Sequence, residues 1–482
     1  MKAKLLLNLL LIIFFISNLQ AKNWIVGPSA TYKFCSEVVN LVADGDTVSI
    51  QAALYDNDKQ VTWKKNNLLL KGIGGQPTLK AGSLIANDAN NGKGIFVIAG
   101  NNTTVENIAF TNAKAKDNNG AGIRQEGSNL IVRHCLFDGN EMGILAGGTI
   151  ANCTILMEYC EFLNGGSIAN PGFQHNIYIN HIDTFIFRFN FSHDAIAQGH
   201  ELKSRANHNF IYYNRISNLT SVDSRNIDMP NGGTAVIVGN VIEQNQASAN
   251  SNIIAFGLEG LVNPGPHNLF LAHNTIVNKK STGSFVHVNG IDSLFMYNNV
   301  FCGAQTGGFI LGAYKSIDTA NNWVSTNWDL PDFNNGMQSD YSLKATSSII
   351  DKGKILSRSV FNHPLAPEFS YTDTANGIIR FSDGKPDIGA FEFTKPVSVA
   401  SSIKDLNVLI YPNPVLNILH IGLLNTKLES NIQLTDLQGR VIFSIQIDVE
   451  NLEYNCSNLK AGMYWLKVQS GDAVFVQSVF KQ

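Results

Sequence analysis

The stretch Val105-Glu106-Asn107-Ile108-Ala109-Phe110 decides the fold, because it comes back as Val132-Arg133-His134-Cys135-Leu136-Phe137. Residues 157–162, 186–191, 211–216, 237–242, 271–276 and 296–301 repeat the same apolar alternation. The interval is roughly 25 residues, stretching once to about 34, in the range of stacked repeat architectures. Each copy is too short and too alternating for a helix, and each runs into Asn- and Gly-rich turns. One copy cannot bury its own apolar face, whereas a stack of copies can. The pattern predicts an all-β chain wound as a parallel β-solenoid.

Stacking puts like over like. The fourth position of the phrase runs Ile108, Cys135, Cys160, Phe189, Asn214, Asn240, Asn274, Asn299. This reads as an inward apolar and cysteine stack that turns into an asparagine ladder, whose amides satisfy one another inside the coil. The closing position runs Phe110, Phe137, Phe162, Phe191, Ile216, Ile242, Ile276, Phe301, a buried aromatic and aliphatic spine. Both stacks are structural. On this pattern residues 22–393 read as the coil domain, and the chain resembles, over roughly residues 24–393, the right-handed parallel β-helix proteins typified by pectate lyases and related polysaccharide lyases. Many activities sit on that coil, so the phrase itself speaks only of fold.

Length and composition bound the rest. A chain of 482 residues has room for one long solenoid and a small second domain. Only 15% of residues are charged and the formal net charge is −3, so no basic face argues for nucleic acid. Residues 1–21 read as a secretory signal peptide, with Lys2 and Lys4 before the apolar run 5–16 and a small residue, Ala21, at the end. That run is too short for a membrane anchor. Export permits disulfides, yet the six cysteines show no framework spacing, no CxxC and no zinc pattern. Cys135 and Cys160 hold equivalent rung positions and are expected to stack inward as small apolar residues.

Residues 24 to about 100 read as the start of the coil. Phe34, Val38, Leu41 and Val42 at helical spacing predict a capping helix over residues 32–43, which would cover the open strand edges of the first turn. Residues 305–380, with Trp323 and Trp328, read as long loops and a C-terminal cap. The ending Asp387-Ile388-Gly389-Ala390-Phe391-Glu392-Phe393 resembles the terminal phrase of β-helix proteins from Bacteroidetes-type bacteria. A linker follows at 394–405. Residues 406–482 form a unit of short alternating strands, a small β-sandwich. Its phrases Tyr411-Pro412-Asn413-Pro414, residues 434–441 and residues 459–464 resemble the type A C-terminal sorting domain of the type IX secretion system. That resemblance implies an exported protein, extracellular or on the outer-membrane surface, with the secretion machinery as a partner.

One part of the coil departs from its own repeat. Residues 175–178, 200–203 and 225–228 concentrate titratable groups where the equivalent strands, 144–146 and 253–256, are bland. Aligning Ile177, Leu202 and Ile227 as inward residues stacks three rows: His175, His200, Arg225; then Asn176, Glu201, Asn226; then Tyr178, Lys203, Asp228. Strand alternation sends the second and third rows to one outer face. The direction of the first row is left open. None of these residues is telling alone; the coincidence on adjacent turns is.

These types suit β-elimination on an acidic sugar polymer. A base must take the proton beside the uronate carboxyl, cations must neutralise the charge that builds there, and an acid must protonate the leaving oxygen. Lys203, His200, Tyr178, Arg225 and Asp228 are the candidate catalytic residues, with His175, Arg205 and Asn231 as candidate substrate-binding residues. Asn176 and Glu201, with Asp228, offer oxygen ligands for calcium. The segment also resembles, more loosely, the alginate and chondroitin lyases of polysaccharide lyase family 6. That resemblance implies Lys203 as base and Arg225 as acid or charge neutraliser, with Asn176 and Glu201 matching part of the metal row. The expected function is lysis of a uronic-acid polysaccharide by a monomeric protein. Two other classes stay open: a glycoside hydrolase using two of Asp194, Glu201, Asp223 and Asp228, and a glycan-binding surface adhesin without catalysis.

Overall fold

The computed structural model describes residues 21–56, 58–82, 92–381, 383–394, 407–424, 429–436, 439–449, 451–471 and 473–481. Residues 1–20 of the expected signal peptide and 395–405 of the expected linker lie outside the described residues. Two compact units divide after Thr394.

The first unit is a parallel β-helix with three strands per turn. One turn runs Thr103–Glu106, Ala109–Thr111 and Ala121–Gln125; the next runs Leu130–Arg133, Leu136–Asp138 and Met142–Ala146. Repeated along the axis, these build three faces, here called sheets one, two and three. All pair in parallel, Val105 over Val132, Phe110 over Phe137, Ile123 over Ile144. Sheet two is a separate eleven-stranded ladder. Sheets one and three become continuous near the end of the coil, where the single strand Ser284–Tyr297 follows sheet three with Val286 and sheet one with Leu294.

The repeated phrase is the corner between sheets one and two. Its third residue takes a left-handed backbone on turn after turn: Asn107, His134, Tyr159, Phe189, Tyr213, His273, Asn298 and Asn321 all have φ between 51° and 57°. A positive φ is costly for a residue with a Cβ. The column offsets that cost by ring stacking, with Tyr159 on Phe189 at 5.0 Å and Phe189 on Tyr213 at 5.3 Å. The fourth residue points inward, and from Asn190 onward it is asparagine. Each Oδ1 accepts both the backbone N–H and the side-chain Nδ2–H of the turn before, along Asn190, Asn214, Asn240, Asn274, Asn299 and Asn322, at 2.8–3.1 Å. Above Asn190 the stack continues as Cys160, Cys135 and Ile108. All six cysteines are buried free thiols.

One rung is shifted from the sequence reading. Met157 pairs with Phe187, not Ile186, so Asn190 rather than Phe189 joins the ladder. Phe162 pairs with Ser192, so Ser192 rather than Phe191 sits in the spine. The segment Ile186-Phe187-Arg188-Phe189-Asn190-Phe191 alternates acceptably in two frames, and a one-residue slip exchanges the faces of a strand. Pairing with the turns on either side selects the frame.

The capping helix is also shorter than expected, only Cys35–Val38. Cys35, Val38 and Val42 face the core, while Phe34 and Leu41 are exposed. The Asp46 carboxylate accepts from the N–H groups of Lys22 and Ala43 and from Trp24 Nε1, all at 2.8 Å, and pulls the chain out of the helix into its first turn.

Two of the three outer faces are covered. Residues 356–369 lay Leu356, Val360, Leu365 and Phe369 over Phe210, Val236, Val238 and Phe270 of sheet one. The C-terminal segment packs Leu330, Phe333, Tyr341, Ile388 and Ala390 on Val241, Val277 and Val300 of sheet two, with Trp323 and Trp328 against the same cluster. Sheet three carries, among the described residues, only a small apolar patch of Ala121, Met142 and Leu145 with Tyr178 beside it.

The second unit has two antiparallel sheets. One joins Asn407–Tyr411, Ile418–Leu424 and Asn451–Asn455; the other joins Val441–Ile447, Ser430–Thr435, Gly462–Ser470 and Ala473–Lys481. Leu419, Ile421, Ile432, Leu434, Leu466, Val468 and Val479 form their shared core.

The ladder yields a stability prediction. Asn240→Ala strands the Asn214 donors and the Ile211 carbonyl inside the coil. At about 1–3 kcal/mol per buried unsatisfied group, the loss should reach several kcal/mol and lower the urea midpoint of the coil clearly. An unchanged midpoint contradicts the role assigned to the ladder.

Candidate active site

Sheet three carries the site. Its inward residues stack as Ile144, Ile177, Leu202, Ile227 and Ile254. The outward neighbours follow: Leu145 pairs with Tyr178, Tyr178 with Lys203, Lys203 with Asp228, and Asp228 with Ala255. The three stretches therefore lie in one register on one wall, with Tyr178, Lys203 and Asp228 side by side.

The histidine row lies beside them on the same wall. The backbone N–H of His200 donates to His175 Nδ1 at 3.0 Å, and the N–H of Arg225 donates to His200 Nδ1 at 3.0 Å. The two rings stack 4.8 Å apart. A ring nitrogen that accepts from a backbone N–H leaves the proton on the other nitrogen. His200 thus presents Nε2–H toward Asp228 Oδ2, 3.5 Å away. Burial holds both histidines well below the usual range, reinforced at His175 by the His200 ring and then Lys203 and Arg205, and at His200 by Lys203 and Arg225. At neutral pH both are uncharged. His200 is a hydrogen-bond donor rather than a base, because the lone pair a base needs is already taken. His175, expected to touch substrate, is buried behind Tyr178 and His200 and supports them.

The middle row corrects the sequence reading. Asn176, Glu201 and Asn226 do not share the outer face with Lys203; all are buried at 0–1% exposure. Asn176 Nδ2 donates to the carbonyls of Phe162 and His193 and to Glu201 Oε2 at 2.6 Å. Glu201 also accepts from Ala195 N–H at 2.9 Å and from Ser192 Oγ at 3.3 Å. Burial, reinforced by the Asp223 charge, raises the Glu201 carboxyl well above the usual range. The row turns inward because the corner offers it unpaired carbonyls and amides, which outweighs strict alternation.

The calcium set fails with it. Asn176 and Glu201 are occupied with each other inside the coil, and Asp228 is ringed by Lys203, His200 and Arg225 rather than by oxygens. A calcium site wants several converging oxygen ligands, and these residues do not supply one. The carboxylates considered for a hydrolase are spent similarly. Asp194 Oδ1 accepts from the N–H groups of Leu219, Thr220 and Ser221, and its other oxygen pairs with His193 at 2.8 Å. Asp223 is fully buried, bound by Asn218 and Ser248, and pushed up to about 7 by burial. Of the four, only Asp228 faces the wall.

The cations form a tight charged cluster. Lys203 Nζ lies 3.3 Å from Asp228 Oδ2 and 2.8 Å from Glu259 Oε1. Arg205 Nη2 lies 2.5 Å from Glu259 Oε2, its Nε donates to the Tyr178 hydroxyl at 3.0 Å, and its Nη1 donates to Asn231 Oδ1 at 2.6 Å. Asn231, expected to bind substrate, is buried and accepts from Arg205 instead. Arg225 Nη1 is 3.7 Å from Asp228 Oδ1. Burial raises the Asp228 carboxyl above its ordinary value in spite of Lys203 and Arg225. Glu259 is the residue that sequence reading missed. It stands in a loop outside the repeat, and nothing in rung periodicity points to it. The cavities of about 180 and 170 Å³ are lined by other residues.

Comparison with known proteins adds an address. Residues 409–482 match the family described as the secretion system C-terminal sorting domain. The protein carries that domain and is exported by the type IX route to the cell surface or the extracellular space. The chain is similar to the crystal structure of pectate lyase Pel9A, with 14% identity over 78% of this chain and 97% of that one and a TM-score of 0.44. A pectin methylesterase from Aspergillus niger has 11% identity over 62% and 84%, TM-score 0.27. Pectin methylesterase PemA from Erwinia chrysanthemi has 10% identity over 65% and 91%, TM-score 0.29. No curated protein matches the chain.

The buried neutral histidines give a pH prediction. Their folded pKa values lie below the unfolded value of 6.5, so the unfolded chain binds more protons as pH falls. Their contribution is complete above that value and is lost progressively as pH drops below it. In His200→Asn the side-chain oxygen keeps an acceptor for Arg225 N–H but does not titrate. Between about pH 7 and pH 5 this variant should lose about 1–2 kcal/mol less stability than the parent. Urea midpoints at the two pH values measure the difference; parallel losses would show that His200 is not held neutral.

Proposed function

We propose that this exported coil binds a uronic-acid polysaccharide along the outer wall of sheet three and cleaves it by β-elimination. The observation that carries the reading is the convergence of Lys203, Arg205, Arg225 and the Tyr178 hydroxyl around the in-register row Tyr178, Lys203, Asp228 of sheet three. A cationic wall of this kind suits a carboxylate-bearing chain lying along the coil.

The chemistry divides among the residues as follows. Lys203 takes the proton from the carbon beside the uronate carboxyl. Lys203 is the ammonium of its ion pairs at rest; once substrate is bound, Asp228, 3.3 Å from Nζ and raised by burial, is placed to take the ammonium proton and leave the free amine as base. Arg225 and Arg205 face the charge that builds on the carboxylate as the C–H bond breaks. Tyr178 accepts from Arg205 Nε, so its own hydroxyl proton is free for the leaving oxygen. The carbon–oxygen bond opens, a carbon–carbon double bond forms, and the leaving sugar departs as an alcohol. Hydrolysis is the weaker reading. Asp228 and Glu259 are the two carboxylates on this wall, and both are neutralised by the same ammonium.

Incubation with alginate, chondroitin and pectic polymers tests this directly. The expected result is ultraviolet absorbance from an unsaturated sugar end. Lys203→Ala should reduce the rate by roughly 10²–10⁴, and Tyr178→Phe by about 10². Reducing ends without absorbance would point to hydrolysis. Binding without turnover, in the parent as in a Lys203→Ala, Arg225→Ala double variant, would identify a glycan-binding surface protein.

A further inference from the structure

The Glu259 carboxylate bridges two cations of the wall. Its two oxygens reach two different cations, Lys203 Nζ at 2.8 Å and Arg205 Nη2 at 2.5 Å. The cations are largely enclosed, with side-chain exposures of 11% and 17%, while the Glu259 side chain is 46% exposed. It therefore closes the cationic site from the solvent side, as an incoming acidic chain would.

The backbone beneath it is pinned. Gly257 N–H donates to Met229 O at 2.9 Å, Glu259 N–H to Pro230 O at 2.9 Å, and Asn263 N–H to Asn231 O at 3.2 Å. Asn263 Nδ2 bonds the carbonyls of Arg205, Ala206 and Gly232. Displacing the carboxylate requires only rotation of an exposed side chain, not movement of the loop. A half-exposed ion pair is cheap to exchange, because water and the incoming group replace what it loses.

We propose that Glu259 is an internal stand-in for the substrate carboxylate: it fills the anion subsite made by Lys203 and Arg205, and an acidic sugar displaces it on binding. The inference rests on the proposed function and adds a specificity role for one residue. The subsite takes a carboxylate; a neutral or methyl-esterified sugar cannot compete with Glu259 for the two cations. In the free protein the stand-in also keeps two enclosed cations paired, so the site does not bear unpaired charge while empty.

The test uses the full chain, with polygalacturonate, alginate and a highly methyl-esterified pectin as probes, and titration calorimetry at low salt as the readout. Glu259→Gln keeps the shape and removes the competing charge. It should bind the acidic polymers roughly three- to tenfold more tightly than the parent and leave the esterified pectin unchanged. Glu259→Ala should behave alike, which separates charge from shape. Parent binding that neither variant tightens overturns the stand-in while leaving the function reading in place. Weaker binding in both variants makes Glu259 a substrate contact and overturns it as well. No binding of either acidic polymer to any of the three proteins overturns the uronate reading and the stand-in with it.

Discussion

The structure depends on in-register parallel pairing between turns of the coil. Each strand must present the same face as the strands above and below, because a slip of one residue would exchange core and solvent sides along its length. The asparagine ladder enforces that register from inside. An amide at one fixed position per turn bonds the backbone N–H and the amide of its neighbour, from Asn190 to Asn322. Buried and shielded from water, such bonds leave no acceptable alternative if the frame moves. With the frame set, the chemistry of the outer wall follows from which side chains happen to occupy equivalent positions.

Much of this was legible in the sequence, and the failures have physical causes. The repeated phrase was readable because its apolar positions fall on a strict period. The row Tyr178, Lys203, Asp228 was readable because Ile177, Leu202 and Ile227 anchor it unambiguously. The rung at 186–191 misread because aromatic residues on both faces erase the difference between its frames. Asn176 and Glu201 misread because alternation describes a flat strand, whereas these residues sit at its bent beginning, where local hydrogen bonds decide direction. Glu259 was invisible because it belongs to a loop, and loops are positioned by contacts that no periodicity encodes.

Electrostatics on the wall follows the same economy. Three cations, Lys203, Arg205 and Arg225, face Asp228 and Glu259. The two histidines add no charge, because burial keeps them neutral and backbone N–H groups occupy one nitrogen of each. Asp228 is the enclosed member of the acid pair and Glu259 the exposed one, at 2% and 46% side-chain exposure. The enclosed acid belongs to the lasting framework around Lys203. The exposed acid is the one that a solvent-borne anion can replace at small cost.

The interior explains why the site falls at mid-coil. At the position of Asn176 and Glu201, earlier turns carry Gly122 and Gly143, whose missing side chains leave room for Phe110, Phe137 and Phe162 of the spine; a Cβ there would meet those rings or the next backbone at 2.5–3.1 Å. Ser192 then takes the place of the aromatic ring. The smaller side chain makes room for Glu201 and Asn176, and its hydroxyl bonds the Glu201 carbonyl at 2.9 Å and lies 3.3 Å from both side chains. The strands of sheet three shorten accordingly, from five residues in Met142–Ala146 to three in Ile177–Ile179, Leu202–Ser204 and Ile227–Met229, and return to five in Asn252–Phe256. Shorter strands place the preceding histidines and Arg225 at a bend rather than in a flat ladder, so that they lean over the same wall as Lys203 and Asp228. The loss of one aromatic from the spine and the gathering of charge on the surface are thus two sides of one local change in packing.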